Sequence, residues 1–118
     1  MKLMLETVRT EVCRIKGCCE SVTTPIEETQ AADLSELFKA IADPARVQML
    51  HVLKHATAPV CVCDFTAVLD VGQPTVSHHL AKLRRAGLIR AERQGIWSFF
   101  TLDPAMPPAA RAAIDLVP

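Results

Sequence analysis

Gln73-Pro74-Thr75-Val76-Ser77-His78-His79-Leu80-Ala81-Lys82-Leu83-Arg84-Arg85-Ala86-Gly87 is the stretch on which the fold turns. Pro74 opens a helix, since a proline in the first turn has no amide to leave unpaired, and Gly87 supplies a left-handed stop. Val76, Leu80 and Leu83 form one apolar side, while Thr75, His78, His79, Lys82 and Arg85 project away from it. Upstream, Val62, Phe65 and Leu69 share a helical face to which Val68 adds, and Val71-Gly72 breaks that helix. Two helices joined by a short glycine-containing turn make a helix-turn-helix.

Short polar groups at the N-terminal end of the second helix and cations further along suit a reader of the DNA major groove. Gln73, Thr75, Ser77 and His78 are placed to meet base edges; Lys82, Arg84 and Arg85 are placed to neutralise phosphates, with His79 among them. A zinc site shared by His78 and His79 is disfavoured, because adjacent helical positions point about 100° apart. Downstream, Leu88 to Arg93 and Ile96 to Leu102 flank Gln94-Gly95 and read as a two-stranded hairpin, a wing from which Arg90, Arg93 and Gln94 reach neighbouring phosphates.

Outward in the other direction, Leu34, Leu37, Phe38 and Ile41 mark one face of an amphipathic helix starting near Asp33. Asp43-Pro44 ends it and caps the next, whose apolar stripe is Val47, Leu50 and Leu53. Thr57-Ala58-Pro59 leads to the helix that begins near Cys61 or Val62. At the far end, Pro104, Pro107 and Pro108 precede a short alanine-rich helix within Ala109 to Val117. The fold expected is mainly α with a small β-hairpin, a winged helix-turn-helix. Residues 1–30, with weak periodicity and three cysteines, form an N-terminal arm; residues 31–118 form the DNA-binding and dimerisation domain.

A chain of 118 residues supports one small domain with a marginal core, so pairing with a second copy is the expected source of extra burial. Its apolar half is never gathered into the roughly 18 to 20 residues of a membrane span, and Glu6 cuts short the apolar start, so a cytoplasmic protein without membrane contact is expected. Net charge is zero, but unevenly spread. Acids dominate from Glu20 to Asp43, where Lys39 is the only base, whereas between Val71 and Phe100 five cations face only Glu92. That second half has the charge distribution of a phosphate binder.

Five cysteines, an odd number without an export signal, argue for thiols that bind metal or do redox chemistry. Cys61 and Cys63 stand just ahead of the reading helix. On a regular helix they point about 200° apart and cannot share an ion. Because thiolates at roughly 2.3 Å from zinc need sulfurs about 4 Å apart, chelation requires Cys61 to precede the first turn, or that turn to deform. His51 and His55 have the i, i+4 spacing of a metal pair without a third ligand, so a solvated helix face is the simpler reading.

Leu37 to Arg46, Cys61-Val62-Cys63-Asp64, Gln73 to Leu80 and Gly87-Leu88-Ile89 together resemble the ArsR/SmtB family of winged-helix repressors over roughly Ala32 to Leu102. The resemblance implies a homodimer that binds an inverted-repeat operator when ligand-free and releases it on metal binding. Arsenic-responsive members often carry a third cysteine three positions after the second, but Thr66 stands there. The missing ligands are sought in the arm at the vicinal pair Cys18 and Cys19, with Cys13 as a spare, as in relatives that combine N-terminal cysteines with such a pair; Arg14 and Lys16 favour their thiolates. The family's other metal site, on the last helix, lacks its histidines here, since none follows His79.

The inducer expected is arsenite or antimonite, with cadmium, lead or zinc as the alternative on the same scaffold. A redox- or persulfide-sensing repressor is a further alternative. A metallochaperone or thiol enzyme leaves the basic helix unexplained, and no acid-base constellation or phosphate loop is present, so no catalysis is expected.

Overall fold

The computed structural model describes residues 22–118. Their elements run α1 (Glu28–Ile41), α2 (Pro44–His55), β1 (Val60–Cys61), α3 (Val62–Leu69), α4 (Gln73–Arg85), β2 (Ile89–Gln94), β3 (Trp97–Leu102) and α5 (Pro108–Asp115). The expected arm falls outside the described residues up to residue 21, and with it Cys13, Cys18 and Cys19.

Helix ends follow local chemistry. The Asp43 carboxylate accepts from the amides of Ala45 at 2.8 Å and Arg46 at 3.3 Å, and Pro44 fills the first turn, so α2 starts where its cap stands. At the end of α4, Leu88 N–H donates to the Leu83 carbonyl and Gly87 N–H to that of Arg84, with Gly87 at φ 80°. This is a Schellman stop, and it turns the chain from α4 into β2. By contrast, α3 is ended by Asp70, not by Val71-Gly72: Asp70 adopts the left-handed conformation and donates its amide to Thr66. Aspartate tolerates that region better than most residues, which a reading keyed to glycine overlooks.

Phe65, Met49, Leu50, Val76, Leu80, Leu83 and Leu88 fill the centre, so α2, α3 and α4 share one core. Val68 does not join it; it is 63% exposed. On α1, Leu37 and Ala40 face this core and Ile41 packs against it, whereas Leu34 and Phe38 are exposed, Phe38 at 57%. The amphipathic face of α1 is therefore split, and half of it is left exposed among the described residues. That helix begins at Glu28, ahead of the point where apolar spacing becomes regular.

The sheet has three strands in the order β1-β3-β2, all antiparallel neighbours, where the sequence suggested two. Val60 pairs with Phe100 and Cys61 with Phe99. A two-residue strand has no periodicity to recognise, and its pairing spans nearly forty residues of chain. The hairpin loop is Gly95-Ile96, closed by the Gln94 and Trp97 pair, one residue later than expected. Gly95, at φ 67°, takes the first loop position, as a two-residue turn with glycine first requires. Finally, α5 buries Ala110 and Ile114, and Lys54 of α2 donates to the carbonyls of Ile114 and Val117 at its end.

Candidate nucleic-acid interface and thiol site

Along α4 the inward residues Val76, Leu80 and Leu83 are buried, which turns Gln73, Thr75, Ser77 and His78 outward at the N-terminal end. These four are exposed and free to meet base edges. The cations divide. Arg84 lies beside Ser77 and Ala81 on a groove shared with α3 and the wing, whereas Lys82 and Arg85 border the opposite side, beside Glu36 and Arg46. Arg90, Arg93 and Gln94 are exposed on β2, so the hairpin and α4 present cations on two walls.

His79 stands apart from its neighbours. Its Nδ1 lies 2.9 Å from Nη1 of Arg46, whose guanidinium is buried and also donates through Nε to the Ala40 carbonyl at 2.6 Å and through Nη2 to that of Lys39 at 3.5 Å. Arginine has no acceptor, so Nδ1 of His79 must accept, which leaves the proton on Nε2. Desolvation, reinforced by Arg46, His78 and Lys82 against the opposing pull of Asp43, lowers the His79 pKa and favours that neutral form. The Asp43 carboxyl is also held low: desolvation raises it, but the Ala45 and Arg46 amides, with His79 and Arg46 charge, outweigh that. Periodicity marks Arg46 only as a polar residue between Pro44 and Val47; its role as a bridge between the end of α1 and α4 depends on packing.

At the thiol pair, Cys61 is the N-cap of α3 in extended conformation and Cys63 lies in its first turn. The condition set by helix geometry is met: with Cys61 ahead of the helix, the two Cα atoms are 5.4 Å apart and the sulfurs are bonded to each other. The Cys61 amide donates to Oδ2 of Asp64 at 3.1 Å, which fixes the residue at the helix entrance. Ligand atoms of Cys61, Cys63 and Asp64 all lie within 4.8 Å of one another, so Asp64 enters a candidate metal set that the cysteine spacing alone does not include. Thr66, where a third thiol was sought, donates its hydroxyl to the Cys63 carbonyl at 2.8 Å. Two soft sulfurs and a carboxylate suit a thiophilic ion, with at least one further position open to another ligand.

Cys61 also belongs to β1, hydrogen-bonded to wing strand β3, while α3 packs on α4. The thiol pair thus has two connections, one to the wing and one to α4. His51 and His55 are exposed on α2, as a solvated helix face requires, and Nδ1 of the first and Nε2 of the second lie 2.7 and 3.1 Å from the backbone oxygen of Pro118.

The sequence pattern of the bacterial regulatory proteins of the arsR family matches residues 43–91, which span the capped α2, the thiol pair, α4 and the start of the wing. The arsenical resistance operon repressor of Escherichia coli K12 is 40% identical over 80 residues, covering 68% of each chain. This chain belongs to the arsR family. Among solved structures, HlyU of Vibrio cholerae N16961 is similar at 31% identity and a TM-score of 0.64, over 76% of this chain and 92% of that one. The antimony-specific transcriptional repressor AntR is similar at 25% identity and a TM-score of 0.65, over 88% and 89%. The ArsR-family chain is accordingly a winged-helix transcriptional regulator, and among its described residues no helix is long and apolar enough to cross a membrane.

Proposed function

We propose that the protein is a metalloregulatory repressor that binds operator DNA as a homodimer and is released when Cys61 and Cys63 take trivalent arsenic or antimony. The observation that carries this reading is the position of Cys61 as both N-cap of α3 and partner of the wing strand, beside Cys63. Kinship with an arsenical resistance repressor and an antimony-specific one supports the choice of element. Reduced Cys61 and Cys63 supply two thiolates; a third is assigned to Cys18 or Cys19, with Cys13 in reserve.

Pairing of two chains is supported by the half of α1 that is exposed among the described residues, where Phe38 and Leu34 border an apolar groove with Ile26. In such a dimer the two α4 helices meet half-sites about one helical turn, roughly 34 Å, apart. Gln73, Thr75, Ser77 and His78 read bases, His79 steadies the helix through Arg46, and Lys82, Arg84, Arg85, Arg90, Arg93 and Gln94 hold the backbone. Thiolate binding tightens the entrance of α3 and shifts both α4 and β3, which biases the dimer away from its DNA-bound arrangement.

Titration of the reduced protein with arsenite tests the ligand set, with three thiols consumed per chain as the expected result. Consumption of four thiols by cadmium, lead or zinc with much tighter binding overturns the choice of arsenic. The bonded sulfurs of Cys61 and Cys63 favour one second reading, a redox-sensing repressor. It is distinguished by oxidant-driven release of DNA together with indifference to every metal ion under reducing conditions.

A further inference from the structure

Spacing on α2 gives His51 and His55 a common face but no third ligand, and the fold brings one to them. The chain after α5 comes back over that face. Lys54, one turn after His51, donates to the Ile114 carbonyl at 3.2 Å and to the Val117 carbonyl at 2.6 Å, and the side chains of Ile114 and Val117 are buried in the core. These anchors set the Pro118 backbone oxygen 2.7 Å from Nδ1 of His51 and 3.1 Å from Nε2 of His55, with the two rings 4.8 Å apart. One oxygen accepts from both rings, so each nitrogen that faces it carries its proton. All three residues are exposed, and an ion can reach them from solvent.

We propose that His51, His55 and the Pro118 backbone oxygen form a site for a borderline divalent cation, such as zinc, that clasps the end of α5 to α2. Two imidazoles and an oxygen suit zinc, nickel or copper, whereas soft ions go to thiolates, so this site and the Cys61 and Cys63 pair select different ions. Zinc bonds of roughly 2.0–2.1 Å place neighbouring ligands of a tetrahedron about 3.3 Å apart, so the existing contacts need to open by only about 0.6 Å or less. On capture each ring passes its proton, through solvent, to the nitrogen facing away and turns a lone pair toward the ion; a neutral imidazole releases none. Water completes the coordination. The Lys54 ammonium opposes a dication by its charge, but its two hydrogen bonds hold the oxygen in place before the ion arrives.

Zinc is the probe, and two full-length proteins are used. On the reduced natural chain, nitrogen NMR of the histidine rings reads imidazole ligation whatever the thiols hold; a chain with all five cysteines changed to Ser gives the stoichiometry without thiol competition. Expected are shifts of Nδ1 of His51 and Nε2 of His55 with His78 and His79 unmoved, one zinc per cysteine-free chain, and at least about tenfold weaker binding for His51→Ala or His55→Ala, since even loss of a residue that only supports a ligand costs that much. The amides of Leu116 and Val117 donate to the carbonyls of Ala113 and Ile114. Their hydrogen exchange should slow by about tenfold when zinc stands at ten times its dissociation constant. Absence of ring shifts, equal shifts at His78 and His79, or zinc affinity that survives both alanine variants overturns the site. Ring ligation with unchanged exchange at Leu116 and Val117 overturns the clasp.

Discussion

Arg46 on α2 donates from Nη1 to Nδ1 of His79 on α4, across 2.9 Å, and with its remaining nitrogens it holds the last carbonyls of α1. Three helices thus meet at one buried guanidinium, and one of them is the proposed DNA reader while another carries an apolar face exposed among the described residues. Replacement by Met keeps the aliphatic bulk but leaves the Ala40 carbonyl without its donor. Unfolding in urea is expected to show a loss of about 1–3 kcal/mol, the cost of stranding a buried polar group. Operator affinity should fall even at temperatures where the variant is fully folded, since His79 loses its anchor; unchanged affinity removes Arg46 from the DNA-positioning role.

The same contact sets a pH dependence. Protonation of His79 removes the acceptor on Nδ1 and places a cation against Arg46. Its folded pKa is lowered from 6.5, so the unfolded chain binds the proton first as pH falls. The stabilisation is therefore fully present above the ordinary histidine range and is lost as pH drops below it through the lowered value. His79→Asn, which keeps a side-chain acceptor that does not titrate, should flatten this part of the stability profile between neutral and mildly acidic pH. The comparison is made by thermal melts of both proteins across that range.

Two caps can be separated by what each controls. Asp43→Ala strips the start of α2 and is expected to cost about 0.5–2 kcal/mol without altering arsenic binding. Asp64→Ala removes the acceptor of the Cys61 amide, the hydrogen bond that holds Cys61 at the entrance of α3. Its stability cost should be similar, but arsenite affinity should fall as well, which calorimetric melts and thiol titration on the same samples will show.

On the DNA side, Arg93 and Ser77 should fail differently. Arg93→Ala is expected to weaken binding to all sequences alike and to reduce the slope of log affinity against log salt by about 1. Ser77→Ala should leave that slope intact and relax preference at one operator position. Binding isotherms at several salt concentrations, on operator and scrambled duplexes, distinguish the two.

Much of the architecture is legible in local chemistry. Asp43-Pro44, Pro74 and Gly87 mark helix ends through interactions within a few residues, and Val76, Leu80 and Leu83 mark a buried side through spacing alone. Whatever depends on distant partners is not legible in this way. Val60–Cys61 becomes a strand only because Phe99 and Phe100 lie beside it, and Arg46 becomes a bridge only because α1 and α4 converge on it. The thiol pair lies between these cases. Helix geometry states the condition for joint ligation, that Cys61 precede the first turn, while the Asp64 hydrogen bond and the pairing with β3 satisfy it. Phe38 illustrates the reverse: its apolar spacing on α1 is plain, but the spacing does not tell which half of that face the chain itself covers.

The central claim is that soft-ion capture by Cys61 and Cys63 is what detaches the protein from DNA. Its most direct measurement is operator affinity of the reduced protein, at fixed salt, with and without saturating arsenite, for the natural chain and for Cys61→Ser/Cys63→Ser. Arsenite is expected to weaken operator binding of the natural chain by roughly 5- to 150-fold, a coupling of about 1–3 kcal/mol, and to leave the double variant bound. Equal release of both proteins by arsenite contradicts the account.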